Sequence, residues 1–356
     1  LELKKIRLYS FRSYSDQEFE FSHKVNLILG PNGSGKTNLM EAIAYTSIGK
    51  SVRYHLDNDL MKNGEDSFAV DAVYSDEESL PLRIQLSFQE RRKLLKINSK
   101  VAARLSELFS LVKVIYSAPE DILLINGGPS LRRQYFDLAI AQLFPDYLEK
   151  LRNYLHAVDQ RNKLFKTEFD AEEKKVWDKR FISTLLELYP YREKYLKLIN
   201  EVLEKTIETN GSSPGFSLSY EPVQKEAFSR DEQGWEKSLK NVQSSEIKWQ
   251  RCMLGAHLDD YLFEIESNNM RSFASQGQKR MAVIRLKTAQ AQLIEKHTGI
   301  KPILLFDDIF AELDEKHSHQ VRSLIDPNHQ IFVASPNRDI EGIFEDAKVI
   351  SLGDIR

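Results

Sequence analysis

The stretch LILGPNGSGKTNLMEAI, Leu27 to Ile43, constrains this chain more than any other. Gly30-Pro31-Asn32-Gly33-Ser34-Gly35-Lys36-Thr37 matches G-x-x-x-x-G-K-[ST] in full, with an apolar run before it and an amphipathic helix pattern after it. Glycines let backbone N–H groups curl around phosphates with no Cβ in the way. Lys36 is placed to charge-pair the β- and γ-phosphates, Thr37 to offer its hydroxyl to Mg²⁺, and the opening helix adds a partial positive charge. Asn38 continues the grip into the helix. The alternative, a chance glycine turn, does not account for strand, motif and helix in that order. The motif names a nucleotide as ligand without naming a purpose, because kinases, GTPases, transporters and repair machines share it.

Ile303 to Asp314, ILLFDDIFAELD, is the second element. Four apolar residues read as a buried parallel strand with two carboxylates at its C-terminal end, where open α/β sheets bind ligands. Asp307 then holds Mg²⁺ through water, and Asp308 orients or polarises the attacking water. The alternative is a strand ending in a solvated acidic turn. The third element is Phe273 to Arg280, FASQGQKR, where Ser275, Gly277 and Gln278 open a helix with Ala282, Leu286, Ala289 and Leu293 on one face. One nucleotide does not need two phosphate grips within a chain. The economical reading gives this one to a nucleotide held by another subunit; the alternative is an N-capped core helix.

The 356 residues are 41% hydrophobic and 29% charged, enough for one large α/β domain with an insertion or for two lobes. No run of about 18 apolar residues could cross a membrane, and LELKKIRLYSF lacks the layout of a signal peptide. The single cysteine, Cys252, excludes an internal disulfide and fits a reducing cytoplasm. A net charge of −3 leaves nucleic-acid binding to a local patch. Lys4-Lys5, Arg91-Arg92-Lys93 and Arg132-Arg133 are candidates, each with a solvated face or a structural ion pair as its alternative.

Patterning predicts strands over KKIRLYSF, QEFEF, VNLILG, SFAVDAVYS, LRIQLSFQE, KLLKINSK and VKVIYS. A helical stretch follows from Ser130 to Asn210, in which Pro190 should kink or split a long helix. TNGSSPG at Thr209 to Gly215 reads as a break, and FSLSYEP after it as a short strand. Strand and helix alternate again from Phe263. The expected fold is α/β: a P-loop nucleotide core with an antiparallel β subdomain over 1–125 and 255–356, plus a mainly helical lobe over 126–254.

Together these motifs resemble the ABC ATPase head of SMC-type repair proteins. Within that group the blocks YSFRSYSDQEFEF, GKSVR, APEDILLINGGPSLRRQYFD, DQRNKLFK and GAHLDD, with the three motifs above, resemble the RecF family over nearly the whole chain. The resemblance implies ATP and Mg²⁺ as cofactors, and a homodimer with ATP between the Walker motifs of one subunit and the signature of the other. Ser275, Gly277 and Gln278 would touch γ-phosphate in trans, Asp314 would be the D-loop aspartate, and Arg12 would lie near the nucleotide. It further implies a weak, DNA-stimulated ATPase of DNA repair, replication and the SOS response. Such a protein recognises gapped or junction DNA and works with RecO and RecR to load RecA. The competing classes are a P-loop enzyme acting on a small molecule and a soluble transporter subunit. The chain departs from the family at Gly255 to Asp260, where GPHRDD is usual. His257, Asp259 and Asp260 persist there, and a helix cap or core histidine stays open for His257. Ser335 falls where many ABC ATPases place a switch histidine, and Glu120 is the nearest substitute for a Q-loop glutamine.

Overall fold

The computed structural model describes residues 1–53, 56–75, 80–167, 170–210 and 215–353. The chain forms two compact units, Leu1–Asp121 with Arg280–Arg356, and Ile122–Lys279.

The first unit opens with β1 (Glu2–Phe11), β2 (Tyr14–Glu20), β3 (Val25–Leu29) and α1 (Lys36–Ile48). Strands β4 (Ser67–Ser75), β5 (Leu82–Gln89), β6 (Arg92–Ile97), β7 (Lys100–Val101) and β8 (Val114–Ser117) follow. In β4 the alternation of SFAVDAVYS turns Phe68, Val70, Ala72 and Tyr74 inward, as a half-buried antiparallel strand requires. The expected strand KLLKINSK is divided between β6 and β7. Asn98 and Ser99, at φ 48° and 68°, form the two-residue turn between Ile97 and Lys100, a hairpin geometry that needs positive φ at both positions.

The second unit contains α2 (Leu123–Asn126), α3 (Pro129–Leu143), α4 (Tyr147–Leu164), α5 (Ala171–Asn210), β9 (Phe216–Glu221), α6 (Glu232–Trp249), β10 (Asp260–Ile265), β11 (Asn268–Asn269) and α7 (Met270–Phe273). Helix α8 (Gln276–Thr298) leads back to the first unit, where β12 (Ile303–Asp307), α9 (Glu315–Leu324), β13 (Ile331–Ser335) and β14 (Lys348–Ser351) complete the chain.

Two sheets build the first unit. One is antiparallel, in the order β2-β1-β4-β5-β6-β7, and the other parallel, in the order β14-β3-β13-β12-β8. Every residue of β12 and β13 is buried, the mark of strands covered on both faces. Helix α1 packs on β1, β4 and β5 on one side and on β8, β12 and β13 on the other. Its buried Leu39, Met40, Ile43 and Tyr45 join Ile6, Val70, Leu86, Leu305 and Phe332 in one core. Each such side chain withdrawn from water contributes about 1.5–3 kcal/mol.

In the second unit β9 and β10 pair from Asp260↔Glu221 to Ile265↔Phe216. That pairing holds residues 255–279 in the unit of the helices, although the sequence reading placed them with the ATPase lobe. Apolar alternation marks 260–265 as a strand without naming its partner. Pro190 does not split α5, which runs 40 residues as one helix. The flanking Leu188, Tyr189, Tyr195 and Leu196 are all buried, and their packing outweighs the roughly 3 kcal/mol a helix-interior proline costs. Of the expected break at TNGSSPG, residues 211–214 lie outside the described set. Among the described residues no helix is long and apolar enough to cross a membrane.

Buried charge organises this unit. The Arg161 guanidinium, 1% exposed, binds Glu246 at 2.8 Å and Asp178 at 2.8 Å. Arg192, equally buried, binds Asp137 at 2.9 Å, the Tyr220 hydroxyl at 2.9 Å and the Ala256 carbonyl at 2.7 Å. The GAHLDD turn belongs to this network. Asp259 accepts from Tyr220 (2.7 Å), Tyr189 (2.9 Å) and the Val223 amide (2.9 Å). His257 Nδ1 lies 2.7 Å from the Tyr154 hydroxyl. The core alternative for this histidine is therefore the observed one. Burial, with the nearby charge of Arg133 adding to it, pushes the imidazole down to about 4. The fold holds His257 neutral, whereas unfolding frees it to bind a proton near its ordinary value of about 6.5. Its contribution is complete above that pH and is lost at about 1.4 kcal/mol per pH unit as the pH falls toward 4. Chemical denaturation of wild type and His257→Gln should show their stability difference shrinking by about 2 kcal/mol between pH 7 and pH 5. A constant difference would place the imidazole's titration elsewhere.

Candidate functional site

The parallel sheet puts β13 between β3, which feeds the glycine loop, and β12, which carries the acidic pair. All its strands run the same way, so Leu29, Ser335, Asp307 and Ser117 end along one edge. The loop turns at Gly33 and Gly35, at φ 85° and 94°, a region costly for residues with a Cβ. A Cβ on Gly30 would lie 2.6 Å from both the Leu352 carbonyl and Ser34 Oγ. Lys36 Nζ donates to the Gly30 (3.0 Å) and Pro31 (3.1 Å) carbonyls, which holds the ammonium across the loop. The loop is braced from outside by the Tyr14 hydroxyl, which donates to the Gly35 carbonyl at 3.0 Å, and by Asn38 Nδ2, which donates to Ser13 Oγ at 2.8 Å.

The two motifs meet at Asp307. Thr37 Oγ1 donates to one carboxylate oxygen at 3.1 Å and the Tyr116 hydroxyl donates to the other at 2.8 Å. Burial pushes this carboxyl up to about 6, the neighbouring Asp308 adds to the rise, and the Tyr116 and Thr37 hydrogen bonds oppose it. Asp308 has a left-handed backbone, φ 53°, which aspartate tolerates better than most residues. Its amide donates to the Ala334 carbonyl at 3.1 Å, and its buried Oδ1 has no partner among the described residues. Burial raises its carboxyl too, with Glu120 and Glu312 adding and Lys36 opposing.

These residues fit a nucleoside triphosphate with its magnesium. The buried Ser34 Oγ and Asp308 Oδ1 lack hydrogen-bond partners among the described residues, beside a loop that turns at Gly33 and Gly35. Thr37 Oγ1 and Asp307 Oδ1, 3.1 Å apart, are the kind of oxygen donors that a hard cation such as Mg²⁺ takes.

The remaining expected residues fall as follows. Arg12 binds the fully buried Glu41 of α1 at 2.9 Å through Nε and Nη2, and donates to the Asp59 carbonyl at 2.7 Å. The guanidinium thus anchors α1 just beyond the loop. Ser335 ends β13 between the two motifs, its hydroxyl accepting from the Asn337 amide at 3.1 Å. Glu120 is exposed, 3.7 Å from Arg53. Asp314 caps α9 by accepting from the His317 amide at 2.8 Å. Arg280, early in α8, pairs with Glu312 of AELD at 2.8 Å.

The signature lies in the second unit. Gln278 Oε1 accepts from the Ser275 amide at 2.8 Å while Ser275 Oγ accepts from the Gln278 amide at 3.2 Å, a reciprocal capping box at the start of α8. Ser275, Gly277 and Gln278 are exposed, and a Cβ on Gly277 would meet nothing within 4 Å.

Among the basic candidates, Arg132 is buried in a two-pronged pair with Asp260 at 2.7 and 2.8 Å. Arg133 donates to the Asp259 carbonyl at 2.9 Å. Lys4 pairs with Glu2 at 2.5 Å, Lys5 with Glu18 at 2.7 Å and Lys93 with Asp57 at 2.9 Å. For Arg132, Lys4, Lys5 and Lys93 the structural ion pair is the outcome. Arg91 and Arg92 stand exposed and without ion pairs among the described residues. Sequence reading missed Tyr116, because a tyrosine in an apolar strand reads as core until the neighbouring strand is known.

An antiparallel β subdomain on a parallel P-loop sheet, with a signature helix, defines the ATPase head of the ABC type found in SMC-like proteins. The RecF/RecN/SMC N terminal domain family matches residues 2–350. The DNA replication and repair protein RecF of Streptococcus thermophilus is 33% identical over 350 residues, covering 95% of this chain and 93% of its own. That of Desulfitobacterium hafniense is 30% identical over 322 residues, 88% and 87% of the two chains. The chain belongs to the RecF family. The solved structure of the recombination mediator protein RecF with ATP in the RecFOR pathway superposes with a TM-score of 0.89 at 27% identity, covering all of this chain and 96% of that one. An Smc head bound to the winged-helix domain of ScpA shares the fold at a TM-score of 0.55.

Removing the Tyr116 hydroxyl should loosen Asp307 without disturbing the core. Tyr116→Phe should weaken Mg²⁺-dependent ATP binding at least about tenfold, since a hydrogen bond to a charged group is worth about 1.5–3 kcal/mol, in calorimetric titration. Unchanged affinity would mean that Tyr116 does not position the carboxylate.

Proposed function

We propose that this protein is an ATP-dependent DNA-binding protein of recombinational repair and replication-fork maintenance, switched between one subunit and two. Lys36 and the amides of Asn32–Thr37 hold the phosphates, Thr37 holds Mg²⁺ with Asp307 acting through water, and Asp308 orients the attacking water. Ser275, Gly277 and Gln278 of a second copy close on the γ-phosphate. Contacts made by both copies favour only the closed state, so binding shifts the population toward the dimer and slow hydrolysis releases it. The closed dimer clamps gapped or junction DNA and works with RecO and RecR to help load RecA. Relatives named as DNA replication and repair proteins, and a solved relative of the RecFOR pathway holding ATP, support this role.

The observation that carries the reading is Gly277. A glycine early in a helix costs roughly 1 kcal/mol against alanine, and nothing in its own fold requires one here. Close approach by an outside group explains both the glycine and the open first turn.

Sedimentation with and without ATP, using Asp308→Asn to block hydrolysis, should show a monomer becoming a dimer that binds gapped duplex with salt-dependent affinity. If ATP leaves the protein monomeric and DNA binding unchanged, the clamp is wrong. Ser275→Arg should bind ATP normally and remain monomeric; a dimer of that variant would remove the signature from the interface.

A further inference from the structure

Far along α8 from the signature, the first unit contains a side-chain cluster that the ATPase reading does not use. Helix α9 gives way to β13 through Asp326-Pro327-Asn328-His329, a tight turn closed by the His329 amide donating to the Asp326 carbonyl at 3.1 Å. The Asn328 amide donates to Asp326 Oδ1 at 2.8 Å. Proline after the first residue fixes φ where such a turn needs it. Residues 326 and 329 thereby face Glu295 in the last turn of α8, and one ligand atom from each of Glu295, Asp326 and His329 lies within 4.8 Å of the other two. Among the described residues this is the one cluster of three or more such groups.

The histidine makes it more than two acidic groups near each other. His329 is 2% exposed, yet neither ring nitrogen has a hydrogen-bond partner among the described residues. A buried polar atom left without a partner costs about 1–3 kcal/mol, and this ring has two. Its Nε2 stands 3.1 Å from Glu295 Oε2, close enough for an ion pair but with its N–H not directed at the carboxylate. A nitrogen and an oxygen that share one metal at bonds of about 2.0–2.1 Å stand roughly 3.0–3.4 Å apart without pointing at each other. Glu295 and Asp326 remain accessible to solvent, which leaves an entry path and room for water to complete the coordination.

We propose that Glu295, Asp326 and His329 form a binding site for a divalent transition metal of the zinc class, separate from the nucleotide's magnesium. The imidazole sets the class: neutral nitrogen joined to two carboxylates suits zinc, whereas magnesium and calcium take oxygen sets. The site ties the end of the signature-bearing helix to the turn that starts β13, the strand between the two Walker motifs. Its role in this fold is to fasten that helix end.

Zinc is the probe, titrated calorimetrically into chelator-stripped, nucleotide-free protein. Wild type should bind one equivalent with a dissociation constant of about 10 μM or tighter, and its melting temperature should rise by several degrees at saturation. Glu295→Gln and Asp326→Asn, at accessible positions that leave the core intact, should each weaken binding at least tenfold. His329→Asn should abolish it, and Lys36→Ala should leave it unchanged. Should His329→Asn fail to fold, the double variant Glu295→Gln/Asp326→Asn decides in its place. No zinc binding below about 100 μM by wild type, or undiminished binding by that double variant, overturns the proposal.

Discussion

Enclosure of α1 between two sheets is the constraint on which the nucleotide site depends. A helix covered on both sides cannot rotate or slide without breaking core contacts on β1, β4 and β5 as well as on β8, β12 and β13. The glycine loop opens directly into that helix, so its geometry is inherited from the core. Several of the polar residues in so dry a place are matched within the fold. Glu41, with no exposed surface, takes the Arg12 guanidinium and the Ser51 hydroxyl, and Thr37 meets Asp307. The antiparallel sheet fixes the ligand-bearing helix from behind. Loosening its face at Val70 or Leu86 would reach the phosphate loop through α1.

The sequence was legible where chemistry is local. Glycine spacing, the apolar run before Asp307-Asp308 and the Ser–Gln offset at 275 and 278 each follow from short-range rules, and the elements stand where those rules put them. What was not legible depends on strands meeting across long separations. Residues 255–279 belong with the helices because β10 found β9 some forty positions earlier, a pairing no periodicity announces. Tyr116 became a positioning residue only when β8 settled beside β12. Pro190 does not split α5 because a local penalty of roughly 3 kcal/mol is smaller than the packing of a helix buried on either side of it. Arg132 and Arg133 look the same in sequence whether they face a polyanion or a buried aspartate.

The second unit shows how a mainly helical lobe can be specified by polar groups. Arg161 and Arg192 lie buried among carboxylates and tyrosine hydroxyls, an arrangement that tolerates few alternatives. Removing one partner of a buried ion pair costs about 3–5 kcal/mol, since the other charge is left without compensation. Replacing Pro and Arg in the family's usual GPHRDD by Ala256 and Leu258 leaves His257, Asp259 and Asp260 in that network, each with a hydrogen bond to an aromatic hydroxyl or an arginine. The retained letters of the motif are those the lobe's interior uses.

The reciprocal cap at the start of α8 has a consequence for timing. Ser275 and Gln278 satisfy each other's backbone amides, so in the lone subunit both side chains are already engaged. On the proposed reading, an incoming phosphate competes with these internal bonds, each worth about 1 kcal/mol net. Such a latch costs little enough to be displaced when every other contact of the interface is in place, and enough to discourage a partial encounter. It would act as a filter on premature pairing, favouring full engagement over a glancing one.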